Sequence, residues 1–257
     1  MNIQNCIVGF FFFAASFFQN VFASSTTQTQ DSLKQKAERI INDAIQTHGG
    51  ELYNTANYCF VFRKNEYCFA HTPTGEYTYT VSSEDKSVRD ELTNVGFRRW
   101  IDEKEEKLGP KAIDKYKNGL NSVVYFATLP HKLNDSAVRK TYVEETTING
   151  QRYDVIQVTF EQEGGGKDHD DMFYYWVHQD AKTIDYLAYN YRVNGGGVRF
   201  RSAYNRRNID GIIFQDYINW KAPVGTPLQV LPELFQNGKL KELSRILTEN
   251  VRNNKEI

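Results

Sequence analysis

Short alternating segments joined by two-residue turns recur along the chain and constrain its fold more than any other feature. Asn149-Gly150 and Asp210-Gly211 each lie between two segments in which apolar and polar residues alternate, and a third pair of such segments flanks residues 179–182. Asn-Gly and Asp-Gly favour the turn types that connect the strands of a hairpin. Strands connected in this way are antiparallel, so the sequence predicts a sheet built from successive hairpins.

One helix is predicted near the start of the chain, where apolar residues recur at three- and four-residue spacing. Asp31 or Ser32 can cap its N-terminus, and Gly49-Gly50 ends it. Its predicted buried face comprises Leu33, Ala37, Ile40, Ile41, Ala44, Ile45 and His48.

A second helix is predicted to start at Pro110, which suits a first helical turn, to break or bend at Asn118-Gly119, and to end at Pro130. Residues 242–251 favour a closing strand over a helix. Together these elements predict an α+β fold. It contains one large curved antiparallel sheet of about nine or more strands, with helices covering one face.

The two cysteines after the first helix, Cys59 and Cys68, leave two alternatives open. If the chain turns near Arg63-Lys64, they could face each other across a hairpin and bond. If the segment is one continuous strand, their odd spacing places them on opposite faces and excludes a bond. The clear turn TPTG follows only at residues 72–75, so the continuous strand with free thiols is favoured.

The N-terminus has the features of a secretory signal peptide. An apolar stretch extends from Cys6 to Phe18, and small or apolar residues at Val21 and Ala23 fit cleavage after Ala23. The stretch is too short to span a membrane, and no cysteine lies at the cleavage site. These features predict a soluble periplasmic or secreted protein whose single domain comprises residues 24–257.

The charge balance gives no reason to expect a nucleic-acid partner. The formal net charge is −1 over 257 residues, and no basic run occurs that would attract a polyanion or an anionic membrane surface. No cofactor motif is recognised, so no cofactor is predicted.

Tyrosine-rich strands raise the possibility of a ligand cavity. Tyr175 and Trp176 are adjacent in one strand and point to opposite faces, whereas Tyr189 and Tyr191 share a face of the next strand. One interpretation is a sheet with one packed and one amphipathic face. The other is an aromatic-lined cavity between sheet and helices, with these four residues as candidate ligand contacts.

Two triple-glycine stretches, at 164–166 and 195–197, precede charged residues. Neither is a phosphate loop, because a strand rather than a helix follows the second and the Lys-Ser/Thr pair is missing. Arg199 and Arg201 project from one face of that strand. They could grip an anionic group together with His169 from the first loop, or form a solvated ladder paired with carboxylates on the next strand.

The acidic loop offers carboxylates at Glu163, Asp168, Asp170 and Asp171 around His169. Its spacing matches neither an EF-hand nor a zinc-peptidase motif, so a solvated loop is favoured and no metal is predicted. Adjacent carboxylates in a strand point to opposite faces and cannot act together as acid and base. No catalytic set of nucleophile, base and orienting group is found.

Several longer blocks resemble an uncharacterised family of exported Bacteroidetes proteins. The blocks are HGG at 48–50, NSVVYFATLP at 121–130, VTFEQEGGGKDHDDMFYYW at 158–176, YLAYNYRVNGGGVRFRSAYN at 186–205 and FQDYINW at 214–220. The resemblance covers about residues 33–251 and implies no catalytic residues, because the family has no established activity. Unlike many members, this chain lacks a lipidation cysteine.

The predicted order of elements is also similar to the LolA/LolB lipoprotein-carrier fold, an unclosed barrel with helices over an apolar cavity. That resemblance implies an unclosed half-barrel whose concave face is covered by helices, and it is an analogy of architecture only.

Three functions are expected from these patterns. The first is an exported binding or carrier protein for an apolar or amphipathic ligand, such as a lipid or a lipoprotein acyl chain. The second is a periplasmic enzyme with a site near Asp168–Asp171, Arg199 and Arg201. The third is an envelope module that binds only another protein. A cavity of about 300 Å³ or more, lined by aromatic residues, favours the first.

Overall fold

The computed structural model describes residues 15–161, 171–192 and 195–254. Within them the chain forms the α-helices α1 (Ala15–His48), α2 (Pro110–Ala127) and α3 (Leu231–Gln236). The strands are β1 (Asn57–Phe62), β2 (Asn65–His71), β3 (Tyr77–Ser82), β4 (Val88–Thr93), β5 (Gly96–Ile101), β6 (Lys104–Glu105), β7 (Val138–Ile148), β8 (Gln151–Phe160), β9 (Met172–His178), β10 (Ile184–Tyr191), β11 (Gly197–Ile209), β12 (Ile212–Ala222), β13 (Lys241–Ile246) and β14 (Glu249–Asn253). Among the described residues, no helix combines the length and the apolar character needed to cross a bilayer.

The strands form two antiparallel sheets of seven strands each. Sheet I has the order β14-β1-β2-β3-β4-β5-β6, and sheet II has the order β13-β12-β11-β10-β9-β8-β7. The α+β class and the unclosed antiparallel architecture are confirmed, but the strands divide into two sheets instead of one. The division occurs because β13 pairs with β12 whereas β14 pairs with β1. The two-residue link Leu247-Thr248 therefore joins one edge of each sheet.

The predicted hairpin turns are confirmed at both dipeptides. Asn149 and Gly150 have φ values of 49° and 78°, and Asp210 and Gly211 have φ values of 48° and 89°. Positive φ at both central residues is the geometry of a type I′ turn, whose twist matches that of the flanking strands. The hairpin of β9 and β10 across residues 179–183 is also confirmed.

The continuous strand predicted through the two cysteines is wrong. Arg63 and Lys64 both adopt positive φ, of 49° and 73°, and turn the chain between β1 and β2. The resulting register places Cys59 directly opposite Cys68, and the two form a disulfide. Because cross-strand partners point to the same face of a sheet, the odd spacing along the chain does not separate the sulfur atoms.

Helix α1 confirms its predicted face but not its predicted start. Ala37, Ile41, Ala44 and His48 are fully buried and pack against the inner face of sheet II. The helix begins at Ala15, so neither Asp31 nor Ser32 caps it. The physical reason is that residues 15–48 contain no Gly or Pro that would interrupt a helix.

Helix α2 continues through Asn118-Gly119, where a break or bend was predicted. A side chain at Gly119 would meet nothing within 4 Å, so this position faces solvent. Packing of other α2 residues offsets the low helix propensity of glycine. Leu120 and Val124 are buried against sheet I. The helix ends at Ala127, ahead of Pro130 as expected.

Both faces of sheet II are covered in its central strands. The inner face packs against α1 and the end of α2, and the outer face packs against α3 and the preceding loop around Leu228. The segment 242–251 is extended as predicted, although it contributes a strand to each sheet.

Candidate functional site

A cavity of about 440 Å³ lies between the inner face of sheet II, the first strand of sheet I and the C-terminal half of α2. Phe60 and Phe62 of β1 line one side. Phe126 of α2 lines a second, and the link residue Thr248 closes the wall where the two sheets meet. The volume is within the range of small-molecule sites, about 300–1,000 Å³.

Aromatic rings form much of the cavity wall on sheet II. The ring of Tyr189 lies 5.3 Å from that of Phe173 and 5.8 Å from that of Phe126, measured between centroids. Strand alternation brings these rings together, because Phe173 on β9 and Tyr189 on β10 are direct partners in the antiparallel register. The wall therefore offers contiguous aromatic surface, and the hydroxyls of Tyr189 and Tyr191 contact Arg201 and Arg199.

Arg201 is the buried charge of the cavity. Its side chain is only 8% exposed, its Nη2 donates to the Tyr189 hydroxyl at 2.9 Å, and its guanidinium carbon lies 4.0 Å from the Phe126 ring centroid. A neutral hydroxyl and an aromatic face stabilise the cation without neutralising it. Among the described residues, no carboxylate forms an ion pair with Arg201.

Arg199 lies two residues earlier on the same face of β11 and is half-buried. It donates hydrogen bonds to the Tyr191 hydroxyl and to the Val198 carbonyl. Asp171 also lines the cavity. The alternative prediction of a solvated arginine ladder paired with the next strand does not match the register, since β12 presents Lys221 opposite Arg199 and Asn219 opposite Arg201.

Polar groups of β12 complete the cavity wall. Gln215 donates from Nε2 to the Tyr217 hydroxyl at 2.6 Å and to the Ile184 carbonyl at 2.9 Å. Burial raises the pKa of the Tyr217 hydroxyl, so this tyrosine stays neutral at physiological pH. Asn219 lies two residues further along the same face. Its side chain is 8% exposed.

The structure brings together four of the seven predicted site residues. Tyr189, Tyr191, Arg199 and Arg201 all line the cavity. The other three are placed differently.

Tyr175 is fully buried in the core between α1 and sheet II, beside the cavity rather than on its wall. Trp176 lies on the outer face of sheet II, where it packs against Phe200. Tyr189 pairs directly with Phe173 and shares its face of sheet II. Trp176 lies three residues after Phe173 and points to the opposite face, so it cannot share a site with Tyr189. His169 lies outside the described residues, as do Glu163, Asp168 and Asp170. The predicted role of that loop stays a prediction.

The sequence interpretation did not single out Phe126, Gln215, Tyr217 or Asn219. Side chains alternate between the two faces of any strand, so a strand over FQDYINW at 214–220 places residues 215, 217 and 219 on one face. Which face turns inward depends on pairing with β11, which the pattern does not specify. Phe126 lies on α2, and its position depends on how that helix packs across both sheets.

Residues 24–248 match the model of a protein family described as Family of unknown function (DUF6503). The chain belongs to this family. The predicted membership of an uncharacterised family is thereby confirmed, without its assignment to the Bacteroidetes. No curated protein sequence matches this DUF6503 chain.

Several solved structures resemble the DUF6503 chain at 9% sequence identity. A DUF1329 family protein from Desulfovibrio piger has a TM-score of 0.52, with 86% of this chain and 94% of that chain covered. A LolA superfamily protein from Nitrosomonas europaea has a TM-score of 0.45, with 74% and 87% covered. A putative outer membrane lipoprotein-sorting protein domain from Vibrio parahaemolyticus has a TM-score of 0.42, with 79% and 85% covered. The similarity to the Desulfovibrio protein concerns the fold alone.

Proposed function

We propose that this DUF6503 chain is an exported binding or carrier protein for an amphipathic ligand. The apolar part of the ligand lies against the aromatic wall of the cavity, and its anionic group lies at Arg199 and Arg201. The observation that carries the proposal is a buried guanidinium, that of Arg201, in an aromatic cavity of about 440 Å³.

The electrostatics of Arg201 support an anionic group. Removing a charge from water is costly unless the charge is paired. Elsewhere the chain pairs its half-buried arginines: Arg207 binds Asp216 and Arg99 binds Asp90. Arg201 has no such partner among the described residues, and a ligand carboxylate or phosphate would supply one.

The cavity itself supports a ligand over a purely protein-binding module. A filled interior would favour a module that binds only another protein, whereas a volume of about 440 Å³ leaves room for a small molecule. The alternative of an enzyme with a site near Asp168–Asp171 depends mainly on residues outside the described part of the chain. Of residues 168–171, only Asp171 is described, and it lines the cavity together with Arg199.

Two observations support export and cleavage after Ala23. The family match begins at residue 24, directly after the proposed cleavage site. Among the α1 residues with described side chains, those packed in the core begin at Leu33. Cleavage would thus leave these core contacts intact.

The double substitution Arg199→Gln and Arg201→Gln tests the anionic site. Affinity for a fluorescent fatty acid is expected to fall by about 2 kcal/mol or more, since hydrogen bonds to charged groups contribute about 1.5–3 kcal/mol each. A neutral analogue of the same chain length is expected to bind almost unchanged. Arg98→Gln is the matched control, because Arg98 is exposed, lies outside the cavity and pairs with Glu91. Equal affinity of the parent and the double variant for the anionic probe would show that the arginines bind no ligand group.

A further inference from the structure

One row of directly paired residues crosses five strands of sheet II and changes from apolar to basic along its length. Phe173 on β9 pairs with Tyr189 on β10, and Tyr189 pairs with Arg199 on β11. Arg199 pairs with Lys221 on β12, and Lys221 pairs with Lys241 on β13. Cross-strand partners point to the same face of a sheet, so all five side chains share the face that lines the cavity.

The two lysines extend this row beyond the cavity wall. Phe173, Tyr189 and Arg199 line the cavity. Lys221 and Lys241 are exposed and lie on the two strands between Arg199 and the edge of sheet II. Neighbouring strands are about 4.8 Å apart, so the lysine backbones lie about 5 and 10 Å from that of Arg199. A ligand head that binds Arg199 and extends along the row therefore meets both ammonium groups.

Neither lysine has an internal counter-charge in the described part of the chain. No carboxylate there forms an ion pair with Lys221 or Lys241, and Glu242, which follows Lys241, pairs with Arg245. Like charges directly opposite each other on neighbouring strands destabilise a sheet. An anionic group bound along the row would remove this repulsion, whereas solvent only screens it.

The described lining of the cavity also carries more positive than negative charge. Three arginines and one carboxylate line it: Arg63, Arg199, Arg201 and Asp171. The chain as a whole has a formal net charge of −1, so this excess is a property of the site. A ligand with one anionic group would leave part of the excess uncompensated, and a second anionic group on the lysine side of Arg199 would balance it more fully.

We propose that Lys221 and Lys241 form a subsite for a second anionic group in the head of the ligand, so that the site prefers dianionic over monoanionic amphiphiles. The tail lies at Phe173 and Tyr189, and the head extends from Arg199 towards β13. This inference rests on the proposed binding function and names the ligand class of the same site. Phosphate monoesters and acylated amino acids with two carboxylates share the required chemistry.

Competition against a bound fluorescent fatty acid at low ionic strength tests the inference. The probes are N-dodecanoylglutamate and N-dodecanoylglutamine, which have the same shape and differ only in the charge of the side chain. N-dodecanoylglutamate is expected to bind the parent protein about fivefold more tightly, the effect of two exposed ion pairs. In about 1 M salt, where charges are screened beyond about 3 Å, this preference is expected to fall below about twofold.

The double variant Lys221→Gln and Lys241→Gln removes the proposed subsite. Both positions are exposed, so the substitutions leave the core intact. The preference for N-dodecanoylglutamate is expected to fall below about twofold, with affinity for N-dodecanoylglutamine changed by less than about twofold. Lys104→Gln with Lys107→Gln is the matched control, because it changes the net charge equally and both positions are exposed and outside the cavity. It is expected to keep the parent preference.

The outcomes separate this inference from the function on which it rests. Equal affinity of the two probes for the parent, or a preference that persists without the two lysines or is lost in the control, overturns the subsite and leaves ligand binding intact. Binding of neither probe overturns both proposals. Free glutarate, which has two carboxylates but no tail, is expected to displace none of the fluorescent fatty acid. Displacement by glutarate would indicate a site for a free dianion and overturn the ligand class.

Discussion

Arg207 binds Asp216 through both of its terminal nitrogens, Nη1 to Oδ2 and Nη2 to Oδ1, each at 3.0 Å. Asp216 lies on β12 of sheet II, and the backbone N–H of Thr248 donates to it at 2.9 Å. Arg207 also donates to the Thr248 carbonyl at 2.8 Å. Thr248 belongs to the two-residue link between the sheets, so this network fastens sheet I to sheet II beside the cavity.

Replacing Asp216 is expected to destabilise the protein strongly. Asp216 is 2% exposed, and removing one partner of a buried ion pair costs about 3–5 kcal/mol. Asp216→Asn is therefore expected to lower the free energy of unfolding by about 3 kcal/mol in urea titrations. Glu242→Gln is the control, because its pair with Arg245 is exposed, and it is expected to cost under about 0.5 kcal/mol. Similar costs for the two variants would contradict the role of the network.

Two histidines, the buried His48 and the half-buried His131, are expected to make the fold acid-sensitive. Burial lowers the pKa of His48 to about 4, and the positive charge of Arg206 adds to the effect. Burial likewise lowers the pKa of His131 to about 4, with His71 and Lys132 nearby. The folded state favours neutral imidazole, so this stability is present above the unfolded pKa of about 6.5 and is lost as pH falls towards 4.

Urea titrations between pH 7 and pH 4 check this acid sensitivity. Each histidine is expected to contribute on the order of 2–3 kcal/mol to the loss. The variant His131→Phe keeps an aromatic ring against Tyr53, whose ring centroid lies 4.3 Å from that of His131, but it cannot titrate. It is expected to lose about 2 kcal/mol less than the parent over this range. An unchanged pH profile would show that His131 does not contribute.

Filling the cavity is expected to weaken the binding of anionic and neutral probes alike. Ser122 lines the cavity from α2 and is exposed, so Ser122→Trp is expected to place a large ring there without disturbing the core. Affinity for both anionic and neutral probes is expected to fall about tenfold or more, since space for the apolar tail is lost. Asn121→Trp, one position earlier and outside the cavity, is the control. Full binding by the Ser122 variant would place the ligand elsewhere.

The number of free thiols tests the disulfide between Cys59 and Cys68. After cleavage behind Ala23, thiol titration of the denatured, non-reduced chain is expected to return zero, whereas an uncleaved chain would return one thiol from Cys6. The double variant Cys59→Ala and Cys68→Ala is expected to lower the free energy of unfolding by about 2–3 kcal/mol, since a short covalent loop is opened. Two free thiols in the cleaved chain would contradict the bond.

Export is checked by N-terminal sequencing of the protein from the periplasmic or culture fraction. The mature chain is expected to begin at Ser24, because Val21 and Ala23 fit a signal-peptidase site. Substituting Ala23→Asp should block cleavage and retain the longer chain. A parent protein that begins at Met1 and stays in the cytoplasm would exclude the carrier function proposed above.

Local patterns in the sequence determined most of the elements. Type I′ dipeptides at Asn149-Gly150 and Asp210-Gly211 predicted two hairpins, because positive φ there is a property of the residues themselves. The apolar spacing of residues 33–48 predicted the buried face of α1. Alternation on β11 placed Arg199 and Arg201 on one face, which the cavity confirms.

Tertiary structure decided which of these faces meet. The turn at Arg63-Lys64 has no glycine and no local signal as strong as Asn-Gly, so pairing of β1 with β2 and β14 determines the disulfide register. Asn219 lies opposite Arg201 only because β11 and β12 pair in one register out of several that the alternation allows. Which sheet face is inner depends on where the helices pack, since burial of apolar area is a property of the whole fold. Alternation along β9 separates Phe173 from Trp176, but only the packing of the helices shows that Phe173 lies on the inner face and Trp176 on the outer face.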